Sequence, residues 1–486
     1  LIRYLRHRWG AEGGYREFLT LAIPLILSTA AWSVQHFVDR VFLAWYSTEA
    51  LAAALPAGMA NFVIASLFIG VASYVNTFVA QYVGAKRLER VGSAVWQGAY
   101  LAVLSGLVGL GVASQSGAIF DLVGHDTAIR DEEVVYFRIL CYGLFPLVLS
   151  TAASCFFSGR GKTLTVLTVN ASATALNIAL DYGLIFGNWG LPAWGIRGAA
   201  WATNIAALFS AVLFGVLLLQ RRYRDEFDTL HGWRPDRDLF LRLLRFGGPN
   251  GLNYMFDMVA FSFFILVVGR KGTLELTATN LAFSVNSLAF MPLLGGGIAV
   301  STMVGQRLGR DDPDAAEYCT WSGLHLALLY MGIMAMAYLG VPQLFLMPYG
   351  LGAGGADLDQ AMEIATLLLR IVALYCLFDA FYIIFTAALK GAGDTRFIMY
   401  VSLGLSWFVM AIPATVALMY FDAGIYFLWS FLCAYIVVAG LVFYLRFRAG
   451  RWREMRVIEE APAIEEEPCS TRESEAEARS NRGRSN

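Results

Sequence analysis

Apolar stretches of about 20 residues or more, separated by short polar or glycine-containing connections, recur along nearly the whole chain. That is the length an α-helix needs to cross the hydrocarbon core of a bilayer. The strict alternation of a membrane β-barrel is absent, so the crossings are expected to be helical. The pattern predicts twelve of them, at residues 18–43, 55–83, 92–112, 134–157, 164–186 and 198–219, then 245–268, 278–304, 319–346, 364–389, 397–420 and 425–447. Residues 1–17 read as a basic leader with Arg3, Arg6, Arg8 and Arg16. Residues 220–244, which hold six arginines, read as a linker between an N-terminal lobe (18–219) and a C-terminal lobe (245–447). From Arg448 to residue 486 the chain turns polar, and a disordered tail is expected there.

Composition agrees with the pattern: 58% of residues are hydrophobic, 15% are charged, and the mean hydropathy is +0.58. These values are far from those of soluble domains and describe an all-α polytopic membrane protein. No cleavable signal peptide is expected, because the first apolar stretch runs past signal length without a small-residue cleavage site. With twelve crossings both chain ends lie on one side. The loops on that side carry about 25 Lys and Arg against about 6 on the other, so the termini and the linker are expected to be cytoplasmic in a bacterial-type inner membrane. The net charge of −1 points to no nucleic-acid partner. Six cysteines, Cys141, Cys155, Cys319, Cys376, Cys433 and Cys469, show no metal spacing. Gly161-Lys162-Thr163 lacks the earlier glycine and the preceding strand of a phosphate loop, so it reads as a turn with Thr163 at a helix start. Without a nucleotide site, any work must come from an ion gradient.

The two halves repeat. At an offset of 225 residues Pro24 pairs with Pro249, Gln81 and Gly84 with Gln306 and Gly309, and Trp96 with Trp321; at 232, Gly159 pairs with Gly391 and Thr163 with Thr395. A six-helix unit repeated in parallel places a substrate path between the lobes. The acidic residues inside the spans break the repeat: Asp39 pairs with Phe264, Asp257 with Trp32, Asp181 with Pro413 and Asp379 with Leu147. Each carboxylate follows a polar residue by four, namely Gln35 before Asp39, Asn177 before Asp181, Asn253 before Asp257 and Tyr375 before Asp379, which puts each pair on one helical face. A charged residue in a span is costly without a proton, an ion or a partner, and so marks a candidate cation-coupling site. Two sets result: Gln35, Asp39, Asn177 and Asp181 in the first lobe, and Asn253, Asp257, Tyr375 and Asp379 in the second, with Asp257 and Asp379 as candidate Na⁺ ligands. Tyr254, Met255, Phe283, Phe290, Met291, Phe381 and Tyr382 are candidate cavity residues for lipophilic cations.

Five segments in this order resemble the multidrug and toxic compound extrusion (MATE) family: Pro24 to Asp39, Gln81-Tyr82-Val83-Gly84-Ala85, Leu176 to Asp181, Trp194 to Ala200, and Leu389 to Thr395. The resemblance covers about residues 18–447. It implies a twelve-helix, two-lobed antiporter that exports organic cations or amphipathic drugs in exchange for Na⁺ or H⁺, with no enzyme activity and no cofactor beyond the coupling ion. It also implies that Asp257, Tyr375 and Asp379 match a cation site of the NorM-type branch, and that Asp39, Asn177 and Asp181 match a cluster of the DinF-like branch. At the span-seven position the family more often has glutamate where this chain has Asp257. Small molecules and membrane lipid are the expected partners, and a monomer the expected state. A flippase for lipid-linked oligosaccharide or peptidoglycan precursors is the alternative; it would need a basic cavity, whereas the charges within these spans are mainly acidic.

Overall fold

The structure, a computed structural model, describes residues 7–121, 126–350 and 356–460. Arg3, Arg6, Cys469 and the tail from residue 461 lie outside the described residues. Eleven of the described helices are long and apolar enough to span a bilayer, and a bent pair makes a twelfth crossing. In chain order they are α1 (Tyr15–Tyr46), α2 (Thr48–Gly84), α3 (Glu89–Ser114), α4 (Ile129–Tyr142 and Leu144–Gly159), α5 (Thr163–Phe186), α6 (Ile196–Leu218), α7 (Arg237–Gly269), α8 (Thr273–Gly309), α9 (Pro313–Gly340), α10 (Ala356–Ala392), α11 (Thr395–Phe421) and α12 (Ile425–Arg448).

The helices depart from the hydropathy pattern where backbone chemistry overrides it. Helix α2 begins at Thr48 rather than at residue 55, because the Ser47 hydroxyl accepts the Ala50 N–H at 3.0 Å and caps it, while Pro56 is carried inside the helix. Helix α4 bends by 41° at Gly143. Pro146 cannot donate to the Tyr142 carbonyl, and a Cβ on Gly143 would overlap Asn204 of α6, so the bend is both permitted and packed. Helix α7 starts inside the expected linker, because the Asp236 carboxylate accepts the Leu239 N–H at 3.0 Å and caps it. Where the repeat pairs Asp181 with Pro413, α11 carries a π-helical turn at Ser406–Ala411 just before that proline.

The duplicated glycines are explained by contacts between the halves. A Cβ on Gly70 of α2 would lie 2.6 Å from the Gly251 Cα of α7; on its repeat mate Gly295 of α8, 2.7 Å from the Ile26 Cα of α1. Both values are below any ordinary Cβ contact, so only glycine lets these backbones meet. The end of the bundle that carries both described chain ends is closed the same way, with Gly84 against the Gln306 carbonyl and Gly309 against the Gln81 carbonyl. There Gln81 Nε2 donates to the Gly391 carbonyl at 2.9 Å, and its mate Gln306 donates to the Gly159 carbonyl at 2.8 Å. Asn76 Nδ2 adds a bond to Thr302 Oγ1 at 2.9 Å. Buried bonds of this kind cost more to leave unmade than they gain when formed, so they favour a fully closed or fully open contact over a partly open one.

The expectation of disorder from Arg448 is corrected over residues 449–460. Trp452 is 1% exposed and Val457 0%, and the segment is laid across the basic end of the bundle. Its arginines and Glu459 find partners of opposite sign on the helix ends, which a composition-based reading of a polar run does not see.

Candidate functional site

Helices α1 and α5 run in the same direction side by side, and their register is fixed by Asn170 Nδ2 donating to Ser28 Oγ at 2.8 Å. Asp39 and Asp181 each lie eleven residues beyond that pair, three helical turns on, so the same register brings the two carboxyls face to face. Asp39 is 7% exposed; Asn177 and Asp181 are fully buried. With the Asn177 amide turned so that its nitrogen faces the acids, Nδ2 donates to Asp39 Oδ1 at 3.1 Å and to Asp181 Oδ2 at 3.2 Å. The Asp39 and Asp181 carboxyls lie within hydrogen-bonding reach of each other. Asp181 Oδ1 is buried and has no donor among the described residues. Gln35 is buried one turn before Asp39 but makes no hydrogen bond to the cluster among the described residues.

Two residues near this cluster were not singled out from sequence. Tyr136 of α4, 9% exposed, lies within electrostatic reach of both acids, and His36 lies within reach of Asp39 from the same helix. His36 packs edge-on to Trp32 with ring centroids 5.0 Å apart, Trp32 meets Phe62 of α2 at 5.8 Å, and Phe62 meets Tyr254 of α7 at 6.0 Å. This aromatic path crosses from one lobe to the other. The i, i+3 spacing of His36 and Asp39 was a legible signal; Tyr136 is far in sequence and gave none.

The second lobe is assembled differently. Asn253 Nδ2 donates to Asp257 Oδ2 at 2.9 Å within α7, and the Tyr382 hydroxyl of α10 reaches the same oxygen at 3.5 Å. Asp257 Oδ1 is buried without a partner among the described residues. Lys390, two turns beyond Tyr382 on α10, also lies within electrostatic reach of Asp257; placed beside a Gly-rich turn in sequence, it gave no hint of that role. Asp379 is 4% exposed and Tyr375 1%, and neither makes a side-chain hydrogen bond among the described residues. No hydrogen bond joins Asp257 to Asp379; Tyr382 and Tyr435 lie within electrostatic reach of both. Among the described residues no three His, Cys, Asp or Glu side chains group to hold a metal ion. The tyrosine whose hydroxyl reaches Asp257 is Tyr382, while Tyr375 packs in the lobe core.

The cavity candidates divide. Tyr254 faces Phe62 across the lobes, and the Met291 carbonyl accepts Thr29 Oγ1 at 3.1 Å at the lobe contact. Phe283 is corrected to a packing residue: it stacks on the buried Trp429 at 4.8 Å inside the C-terminal lobe. Phe381 is corrected likewise, packed against Phe385 and Tyr444 between α10 and α12. Met255 and Phe290 are half-buried, Phe290 lying against the core of its lobe. The five described cysteines are free thiols, four of them buried.

Comparison with known proteins adds to this geometry. The family model MatE matches residues 24–183 and 249–416, one block in each half. A "Probable multidrug resistance protein NorM" of Bradyrhizobium diazoefficiens is 30% identical over 440 residues, covering 89% of this chain and 92% of that protein. A protein of the same description from Thermotoga maritima is 25% identical over 448 residues, covering 91% and 94%. Among solved structures, an outward-facing conformation of a multidrug resistance MATE family transporter superposes with a TM-score of 0.80 at 19% identity, over 92% of this chain and 98% of that one. A transporter of the MOP superfamily from Pyrococcus furiosus, described as having a binding pocket of reverse polarity that suggests a different function, superposes at 0.79 with the same identity and coverage.

Proposed function

This chain belongs to the MatE family, and from that premise we propose that it exports organic cations or amphipathic drugs in exchange for H⁺ or Na⁺. The observation that carries the coupling is the Asp39–Asn177–Asp181 cluster. Two buried carboxylates in contact repel unless a proton or a cation lies between them. The unpartnered Asp181 Oδ1 and a single bridging amide leave room for either. An ion arriving there removes the repulsion, draws α1 and α5 together and biases how the first lobe sits against the second. With the basic end cytoplasmic, one cation entering down the membrane potential supplies about 2.3 kcal/mol per 100 mV. The aromatic path from Trp32 to Tyr254 supports a flat, lipophilic cation as cargo.

The flippase alternative is disfavoured by charge, since within the spans the carboxylates Asp39, Asp181, Asp257 and Asp379 outnumber Lys390. The decisive measurement is ethidium or norfloxacin transport in proteoliposomes, with Na⁺ and pH gradients imposed separately. Export driven by one gradient names the coupling ion, and export driven by neither overturns the reading. Asp379, buried and without a hydrogen bond, serves as a second coupling carboxyl. Asp379→Asn is expected to lower gradient-driven export by about tenfold or more, the scale on which one charged group contributes. Full export by that variant would remove Asp379 from the mechanism.

A further inference from the structure

The chain leaves α12 at a left-handed Gly450 (φ 76°) and turns back across the basic end. Its first half is fastened to the C-terminal lobe. Trp452 stacks on Phe447 at 4.8 Å and donates Nε1 to the Phe447 carbonyl at 2.8 Å; Arg453 pairs with Asp314 at 2.9 Å and with Glu317; Arg456 pairs with Asp311 at 3.1 Å. Its second half is fastened to the other lobe through Gln81, Tyr82, Arg87 and Arg90, with Arg242 of α7 adding a contact from the C-terminal lobe. The Val457 N–H donates to Gln81 Oε1 at 2.9 Å. Glu459 accepts from the Tyr82 hydroxyl at 2.8 Å and pairs with Arg87 at 2.5 Å, Arg90 at 3.2 Å and Arg242 at 3.6 Å, while Arg87 also donates to the Glu459 carbonyl at 2.7 Å.

Gln81 is the pivot of this arrangement. Its amide nitrogen bonds the Gly391 carbonyl of the opposite lobe, and its amide oxygen takes the Val457 N–H, so one side chain reports lobe closure to the strap and the strap to lobe closure. The repeat sharpens the point. Gln306, the mate of Gln81, has the same bond to the opposite lobe, but among the described residues no strap reaches it. The segment that follows α6 stays on its own half, with the Thr229 carbonyl accepting Trp96 Nε1 at 2.9 Å. The bond to Gln81 has no counterpart at Gln306, where the N-terminal segment crosses instead through Glu12 to Arg307 and Arg310 of the C-terminal lobe.

We propose that residues 450–460 are a latch: docked, they hold the lobes together at the basic end, and they must leave Gln81 and the Tyr82–Arg87–Arg90 cradle of the N-terminal lobe before the lobes can part there. This rests on the proposed antiport, taken as two lobes that open in turn toward either face of the membrane. The latch is insensitive to pH over the physiological range. Burial works against the Glu459 charge, but the hydrogen bond from Tyr82 and the charges of Arg90 and Arg87 outweigh it and hold the carboxyl below its ordinary range. A carboxyl lowered on docking contributes above its undocked value, about 4.3, and the contribution is lost only as pH falls through the lower docked value. Docking measured by resistance of Arg453 and Arg456 to trypsin is therefore expected to be flat from about pH 8 to pH 5.5; release between pH 7 and pH 6 would contradict this account of the cradle.

The test places spin labels at Lys162→Cys and Arg396→Cys, both exposed and on opposite lobes, in the full chain with its native cysteines replaced by serine. Distances are measured with and without Na⁺, low pH and ethidium. Relative to the parent, truncation after Gly450 and Glu459→Lys are each expected to raise the ratio of long to short distances by about fivefold or more, the scale of one charge-assisted hydrogen bond. Combining Glu459→Lys with Arg87→Glu is expected to return the ratio toward the parent. A truncated chain that is monodisperse yet keeps the parent distribution overturns the latch. If the truncated chain does not fold, the latch is equally overturned by a Glu459→Lys protein that trypsin cuts faster at Arg453 and Arg456 while its distance ratio stays unchanged. A long distance that appears with ion or ethidium but ignores the strap overturns the latch alone; a long distance under no condition overturns the two-opening reading with it.

Discussion

Asp39→Asn is expected to abolish gradient-driven export in proteoliposomes while leaving the protein folded. The substitution keeps the shape and the amide bridge but leaves Asp181 as the sole acid of the cluster, so ion arrival no longer relieves a repulsion between carboxylates. Losing a buried charge that must be compensated is worth several kcal/mol, so at least a hundredfold fall in coupled transport is expected. Binding of ethidium, which the aromatic path supports without Asp39, is expected to change by less than about threefold. A monodisperse Asp39→Asn protein that exports at the parent rate would remove the cluster from coupling. Asp181→Asn is expected to match it, because the two carboxyls act as one unit.

The second large effect is steric. Gly84→Ala and Gly309→Ala each push a methyl group into a backbone carbonyl of the opposite lobe, Gln306 in the first case and Gln81 in the second. Neither obstacle is a flexible side-chain end, so the lobes themselves must shift. Overpacking of this kind costs about 1–3 kcal/mol, which lowers the closed-to-open ratio at the basic end by roughly fivefold to a hundredfold. The two variants are expected to give the same displacement of the spin-label distances, since the sites are repeat mates. Unequal effects would show that the closure at this end is not shared between the halves. Because glycine at these positions does not need a positive φ, the effect belongs to the contact and not to backbone strain.

Much of the fold was legible because a bilayer imposes a length on apolar helices and duplication leaves a numerical offset. All twelve crossings lie where the hydropathy pattern puts them, and the offset of 225 pairs the glycines and glutamines that meet between the lobes. What the pattern could not supply were events decided by single hydrogen bonds. Ser47 and Asp236 start helices earlier than apolarity suggests, and Pro146 divides α4. In the candidate site, the i, i+4 rule found Asn253 with Asp257, which are bonded, and Asn177 with Asp181, which share an amide. It paired Tyr375 with Asp379 as well, and the two buried groups lie within electrostatic reach of each other with no hydrogen bond between them. The partner Asp257 acquires is Tyr382, from another helix, and only tertiary packing determines that. The docked strap was missed for a related reason: a run of charged residues is unstructured by composition unless the surface it meets is equally charged and of opposite sign.

The paired glycine contacts carry a mechanical consequence. Gly70 on Gly251 and Gly295 on Ile26 are two points at which rigid helices touch backbone to backbone. Two such bearings fix a line, and a body held along a line keeps one rotation while losing its slides and its other turns. On the proposed exchange between two openings, duplicating a single close contact turns what would be a ball joint into a hinge, about which each lobe would tip without drifting off its mate.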